Sequence, residues 1–221
     1  MSVVTEEDKQ QLEALAEKYK DIFEGLGKLP QPVKIHIKHG ARPSQQAQRQ
    51  TPVAMIGRIR ERVKELGRAG IIEKVEHPTE WVSNLVPVDR PAQKLRLCID
   101  PHHLNKVIER PRYPIPTLKD FLHRPRKAKI FSVPDARDGY YQLELDRESA
   151  NLTKFRTPDG RYRYLRLPLG ISCAPEEYQM RQVQAYDGLR GVIVIADDTL
   201  CFGEGDTTQE AMEDHNKNLK A

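Results

Sequence analysis

A chain of 221 residues can bury a real core, in one domain or in two tightly packed subdomains. With 38% hydrophobic and 31% charged residues it reads as a soluble globular protein, and no apolar run approaches the roughly 20 residues that a membrane helix needs. The net charge of +4 excludes little, but its distribution is uneven: seven Lys or Arg face one acid between Arg110 and Lys129, and seven acids with no Lys or Arg fill Asp197 to Asp214. A basic middle and an acidic end suit a surface that holds a polyanion beside a site that holds cations.

Cys98, Cys173 and Cys201 are far apart and form no Cys-x-x-Cys, so free thiols in a reducing compartment are expected. His102-His103 lack a cysteine at ligand spacing, which argues against zinc. The amino terminus is charged from Glu6 onward and cannot be a secretory segment. The expectation is an intracellular chain, cytoplasmic or nuclear, with no membrane partner.

Thr5 followed by Glu6, Glu7 and Asp8 signals a helix start, with Leu12, Leu15, Tyr19, Ile22 and Phe23 at helical spacing. Val33 to Ile37 alternates like a short strand, and Gly40 to Pro52 reads as an exposed loop. A second amphipathic helix carries Ile56, Ile59, Val63 and Leu66 on one face, surrounded by Arg58, Arg60, Arg62, Lys64 and Arg68, and Gly70 stops it. Three strand-like runs follow, Ile71 to Val75, Trp81 to Val88 and Lys94 to Ile99, divided by turns at His77-Pro78 and Pro91-Ala92. Arg110 to Pro116 holds three prolines and must be extended. Thr117 to Leu122 is a short helix, and Lys129 to Val133 a strand that runs into Asp135.

From Tyr140 to Leu145 the pattern alternates like a strand, and strands at Thr153–Thr157 and Arg161–Leu167 flank the hairpin turn Pro158-Asp159-Gly160. Ala174-Pro175-Glu176-Glu177 opens a helix, with proline and acids where a helix start favours them. Tyr178, Gln182 and Ala185 share one face of it. Gly191 to Gly203 then reads as a hairpin, its β-branched run leading straight into Asp197 and Asp198 at or beside the turn. The layout is α+β, with helices on one face of an antiparallel sheet.

Two adjacent carboxylates at a core edge repel, and a solvated turn would be their ordinary explanation. Asp135 changes the balance, because it too ends a strand and the Pro175 helix joins the two elements. If those strands are neighbours, three acids converge in the all-oxygen donor set that hard divalent cations prefer.

The ordered blocks Phe131-Ser132-Val133-Pro134-Asp135-Ala136-Arg137-Asp138-Gly139-Tyr140, Thr153-Lys154-Phe155, Leu167-Pro168-Leu169-Gly170-Ile171-Ser172-Cys173-Ala174-Pro175 and Ala196-Asp197-Asp198 closely resemble reverse transcriptases. The likeness is greatest to the gypsy-type family of long-terminal-repeat retrotransposons. Upstream, Gly70-Ile71-Ile72-Glu73, Pro78 to Ser83, Leu95 to Asp100 and Leu104-Asn105 match in the same order.

The resemblance implies a fingers-and-palm fold without a thumb. It assigns 1–32 to an N-terminal helix and linker, 33–109 and 143–173 to fingers, and 110–142 and 174–221 to a truncated palm. It implies RNA- or DNA-templated DNA synthesis, a primer 3′-hydroxyl attacking a deoxynucleoside triphosphate. Asp135, Asp197 and Asp198 are then the expected ligands of two Mg²⁺ ions, with Mn²⁺ as an alternative. Arg96, Ala136, Tyr140, Leu169 and Gly170 are the expected nucleotide-binding residues, Tyr140 lying under the sugar and Arg96 on the triphosphate. The basic stretch from Arg110 to Lys129 would lie near the nucleic-acid backbone. Thumb, connection and ribonuclease H regions are expected partners that this sequence does not contain.

The chain departs from the family pattern at Pro134, Asp89, His102, Leu169 and Gln182. Pro134 removes an N–H where a central strand should pair, and Gln182 places an amide on an expected apolar face. The alternative to an enzyme is a degenerate copy that at most binds nucleic acid.

Overall fold

The computed structural model describes residues 10, 13–14, 16–20, 24–89, 94–116, 127–195 and 198–220. Of the expected leader helix, residues 16–18 are helical, whereas Thr5, Leu12, Leu15, Ile22 and Phe23 lie outside the described residues. So do the expected Thr117–Leu122 helix and the turn at Pro91-Ala92.

Helix α1 (Val53–Arg68) buries Ile59, Val63 and Leu66, the apolar stripe legible in the sequence. It ends where Gly70 turns left-handed at φ +66, letting the Ile71 N–H close back on the Leu66 carbonyl at 2.9 Å. The chain enters β1 (Ile72–Val75), which pairs antiparallel with β6 (Gly160–Tyr164). On its other side β6 pairs with β5 (Phe155–Thr157) across the expected Pro158-Asp159-Gly160 turn. Strands β2 (Asn84–Val88) and β3 (Arg96–Asp100) form a separate antiparallel ribbon, and the short helix α2 (His102–Asn105) follows.

The third sheet holds β4 (Ala128–Ser132), β7 (Val192–Ile195) and β8 (Asp198–Glu204) in the order β4-β8-β7, all antiparallel. Helices α3 (Arg147–Leu152), α4 (Ala174–Ala185) and α5 (Thr208–Lys220) complete the described elements. One buried cluster runs from α1 through Leu97 and Ile99 of β3 to Phe155, Tyr164 and Tyr178. The result is the expected α+β class. Among the described residues no helix is long and apolar enough to cross a membrane, and Cys98, Cys173 and Cys201 form no disulfide.

Two expected strands are different structures. Val33 to Ile37 makes only isolated bridges, Val33 with Leu145 and Ile37 with Ile108, because it threads between other segments instead of joining a sheet. Gly139 to Gln142 is a 3₁₀ turn rather than strand. The cause is Asp138, which sits left-handed at φ 54 and curls the chain before Tyr140.

Helix α3 was not anticipated from alternation, yet Asp146 caps it by accepting the Ser149 N–H at 2.7 Å. Helix α5 was not anticipated either. Its signature is a capping box: the Thr207 hydroxyl accepts from the Glu210 N–H at 3.2 Å, and the Glu210 carboxylate accepts from the Thr207 N–H at 3.2 Å.

Two glutamines are buried on α4, and one of them anchors it. Gln179 is fully buried and donates to the Val194 carbonyl at 3.0 Å, tying α4 to β7. Gln182, the expected misfit, is buried too, and its side-chain oxygen has no hydrogen-bond partner among the described residues.

Helix α5 lies directly on the central strand β8. A Cβ at Gly203 would stand 2.0 Å from the Ala211 carbonyl oxygen and 2.5 Å from the His215 backbone nitrogen, so only glycine permits this approach. Asn218 adds a hydrogen bond to the Phe202 carbonyl at 2.9 Å. Replacing Gly203 with Ala should therefore cost about 1–3 kcal/mol of stability in urea titrations. Gly57→Ala, on an open stretch of α1 where a Cβ meets nothing within 4 Å, should stabilise by roughly 0.5–1 kcal/mol. Equal effects of the two substitutions would contradict the close packing of α5 on β8.

Candidate active site

Strand pairing determines where the carboxylates fall. In the β4–β8 ladder Phe131 pairs with Phe202 and Ser132 with Cys201. Beyond the end of β4, Asp135 pairs with Asp198 in an isolated antiparallel bridge. Stepping three residues along each strand from Ser132 and Cys201 arrives at this pair, so the register is unchanged across Val133-Pro134. Pro134, which has no N–H to give, interrupts the ladder without shifting it. On the other side of β8, Ile195 pairs with Asp198 and closes the hairpin. Two of the three expected acids are thus partners on adjacent strands. Asp197 lies outside the described residues, as does Ala196. Among the described residues no group of three His, Cys, Asp or Glu side chains gathers as a metal site.

Beside Asp135 opens a cleft of about 510 Å³. Its lining includes Arg96, Ala136, Tyr140 and Leu169, four of the five expected nucleotide-binding residues, drawn from β3, the turn after Asp135 and the loop before α4. The turn from Ala136 to Gly139 closes with a Gly139 N–H bond to the Ala136 carbonyl at 3.2 Å. Gly139 must lack a side chain, because a Cβ there would meet the Tyr178 hydroxyl at 2.5 Å. That approach sets the Tyr140 ring against the Tyr178 ring, centroids 5.2 Å apart and planes tilted by 56°. Tyr141 also lines the cleft, but burial pushes its phenol up to about 12, so it stays protonated near neutrality.

Gly170, the fifth expected residue, is not in the cleft lining. At φ +112 its Cβ would fall 2.0 Å from the Ile99 carbonyl oxygen, so its glycine is required for packing against β3. The Asn105 amide clasps this loop, donating to the Gly170 carbonyl at 2.8 Å and accepting from the Ser172 N–H at 2.9 Å.

The cleft also holds cations that were not marked as site residues in the sequence: Arg62 of α1, Lys94 before β3, and Arg137. Nothing local announces Arg62, which reads as one of five basic residues around an amphipathic helix. Asp89 is committed elsewhere, receiving both arms of Arg58 at 2.6 and 2.7 Å. The basic stretch is partly engaged within the protein, since Arg110 pairs with Glu176 and Lys127 with Asp206. Lys119, Arg124 and Arg126 lie outside the described residues.

Comparison with known proteins accords with this geometry. The family described as reverse transcriptase (RNA-dependent DNA polymerase) matches residues 83–221. The retrovirus-related Pol polyprotein from transposon 412 of Drosophila melanogaster is 30% identical over 206 residues, covering 88% of this chain and 17% of that polyprotein. The corresponding polyprotein from transposon 297 of the same fly is 33% identical over 149 residues, 65% of this chain and 14% of the polyprotein. The foamy viral protease-reverse transcriptase in complex with an RNA/DNA hybrid shares the fold, with a TM-score of 0.81 at 20% identity over 98% of this chain and 29% of that one. The chain belongs to the reverse transcriptase family. It spans less than one fifth of the length of these transposon polyproteins.

Behind the carboxylate-bearing sheet, Nε2 of His215 on α5 lies 2.9 Å from the Ser132 hydroxyl, linking that helix to the strand that leads to Asp135. Burial lowers the imidazole pKa below its ordinary 6.5, against weaker upward pulls from Asn216 and Asp214. The native fold thus favours neutral His215. Its contribution to stability is complete above about pH 6.5 and is lost as the pH falls through the depressed native value. Urea titrations of the unsubstituted chain should show a midpoint that drops between about pH 7 and pH 5, and His215→Asn should flatten that drop. Parallel pH profiles would contradict the assignment.

Proposed function

We propose that this chain is the polymerase core of a retrotransposon reverse transcriptase, of gypsy type, catalysing RNA-directed DNA synthesis on a primer-template. The observation that carries the reading is the Asp135–Asp198 pair, held in register at the edge of a cleft that contains Arg96 and Tyr140. The division into fingers (33–109 and 143–173) and palm (110–142 and 174–221) is part of the proposal. Its support is that the β1–β6–β5 sheet and the β2–β3 ribbon fall within the first set and the β4–β8–β7 sheet within the second. The unshifted register across Pro134 supports the enzyme over a degenerate copy at that one position.

The donor set suits a hard divalent cation: carboxylate oxygens from neighbouring strands, with Asp197 next in the chain to Asp198. Asp135, Asp197 and Asp198 would hold two Mg²⁺ ions, or Mn²⁺, which when bound would supply activation of the primer 3′-hydroxyl and stabilisation of the departing pyrophosphate. The planar fork of Arg96 binds triphosphate oxygens. Tyr140, braced by Tyr178, floors the site beneath the deoxyribose and leaves no room for a ribose 2′-hydroxyl. Ala136 and Leu169 wall the nucleotide on either side. Lys and Arg residues of the 110–129 stretch hold the primer-template backbone by sequence-independent attraction.

In primer extension with Mg²⁺, the chain should add deoxynucleotides, and Asp198→Asn or Asp197→Asn should lower the rate by on the order of 100-fold or more, the scale of losing one electrostatic partner of a transition state. Equal rates for variant and parent would sink the metal-site assignment. Binding to a primer-template should weaken steeply as salt rises from about 50 to 200 mM, by well over tenfold. Salt-insensitive binding would remove the basic stretch from the interface.

A further inference from the structure

The resemblance accounts for one cation in the cleft, Arg96. Arg62 stands there without an assignment. Its side chain is only 16% exposed, and it lines the same cleft as Asp135, Tyr140 and Arg96. One arm of its guanidinium donates to Glu65 at 2.7 Å. Its Nε, by contrast, is buried and has no hydrogen-bond partner among the described residues. A buried charged donor left unpaired is costly.

Glu65 also accepts from Lys94 at 3.3 Å. Hydrogen bonding from Arg62 holds the Glu65 carboxyl below its usual range, so the carboxylate spaces two cations of the cleft lining. Asp135, Asp138, Tyr140 and two further cations, Arg96 and Arg137, line the same cleft. Cationic, carboxylate and aromatic side chains thus share one lining. Asp89 adds no cation to it, because it is an acid already engaged by both arms of Arg58.

We propose that Arg62 binds the polyphosphate of the incoming nucleotide together with Arg96, with Lys94 as a weaker outer contact. Arg62 lines the same cleft as Arg96, and the arm held by Glu65 fixes the plane of its fork before the ligand arrives. A small rotation that brings the buried Nε to a phosphate oxygen gives that donor the partner it lacks. The proposal rests on reading the cleft as the nucleotide site, and its test separates the two.

Isothermal titration of the whole chain with inorganic tripolyphosphate, and separately with deoxythymidine triphosphate in Mg²⁺ buffer, provides the measurement. Arg62→Gln should weaken both ligands by the same factor, roughly tenfold or more, the scale of a charge-assisted hydrogen bond. Lys94→Gln should weaken both by about two- to fivefold, since that side chain is 69% exposed. If the parent binds both ligands and Arg62→Gln binds them equally well, the Arg62 assignment is overturned and the nucleotide site stands. If the parent binds tripolyphosphate but not the nucleotide, the nucleotide site is overturned and the anion site stands. Binding of neither ligand overturns both. Should melting curves show Arg62→Gln unfolded, Arg62→Lys and Lys94→Gln decide, and unchanged tripolyphosphate affinity in both refutes the proposal. A loss confined to binding of a DNA duplex would also refute it, by moving Arg62 to the nucleic-acid backbone.

Discussion

Two carboxylates placed opposite each other on neighbouring strands repel, and this arrangement holds only while something offsets the repulsion. Here three features do so. Asp198 is exposed to solvent, cationic side chains line the cleft into which Asp135 faces, and the β4–β8 register leaves neither strand free to slide the acids apart. That register depends in turn on the packing behind the sheet. The bare backbone at Gly203 admits α5, and the His215–Ser132 contact stitches the helix to β4. A one-residue slip of β4 would turn Asp135 to the opposite face and present Ser132 to solvent. The helix that grips Ser132 therefore guards the position of Asp135 without touching it.

Pro134 illustrates how a local rule can fail harmlessly. The expected central strand is, among the described residues, an edge strand in the order β4-β8-β7, where a proline is tolerated, and β4 ends at Ser132 just before it. Strand pairing nevertheless depends on register rather than on every rung, and the flanking pairs agree on the same register. The omitted rung costs a hydrogen bond and leaves the geometry of the carboxylates intact.

Features written in local sequence were legible. The stripe of Ile59, Val63 and Leu66, the Pro158-Asp159-Gly160 turn, the Pro175 helix start and the pairing of β7 with β8 each follow from a few adjacent residues, and each is present. The failures have two physical origins. Alternation around Tyr140 imitated a strand, because the left-handed Asp138 is invisible to a pattern of apolar and polar residues. The capping signals at Asp146 and Thr207 were legible in principle, but polar composition masked α3 and α5. Of the cations in the cleft only Arg96 was legible, through the resemblance. Arg62 and Lys94 are 32 positions apart in the chain, on elements whose sequences do not indicate that they meet.

The arginines of α1 have a mechanical consequence. Arg58 holds Asp89 at the end of β2, and Arg60 holds Asp159 in the β5–β6 turn at 2.7 Å. Those two tips belong to different sheets, joined otherwise by the Ser83–Phe155 bridge. Helix α1 thus works as a common spindle, seated by its buried face and engaging two hairpin tips through exposed charge pairs. Such pairs are weak and are screened by salt. Rising ionic strength loosens the tips from the spindle before it unseats the spindle from the core, so the two hairpin ends soften while the buried face of α1 stays set.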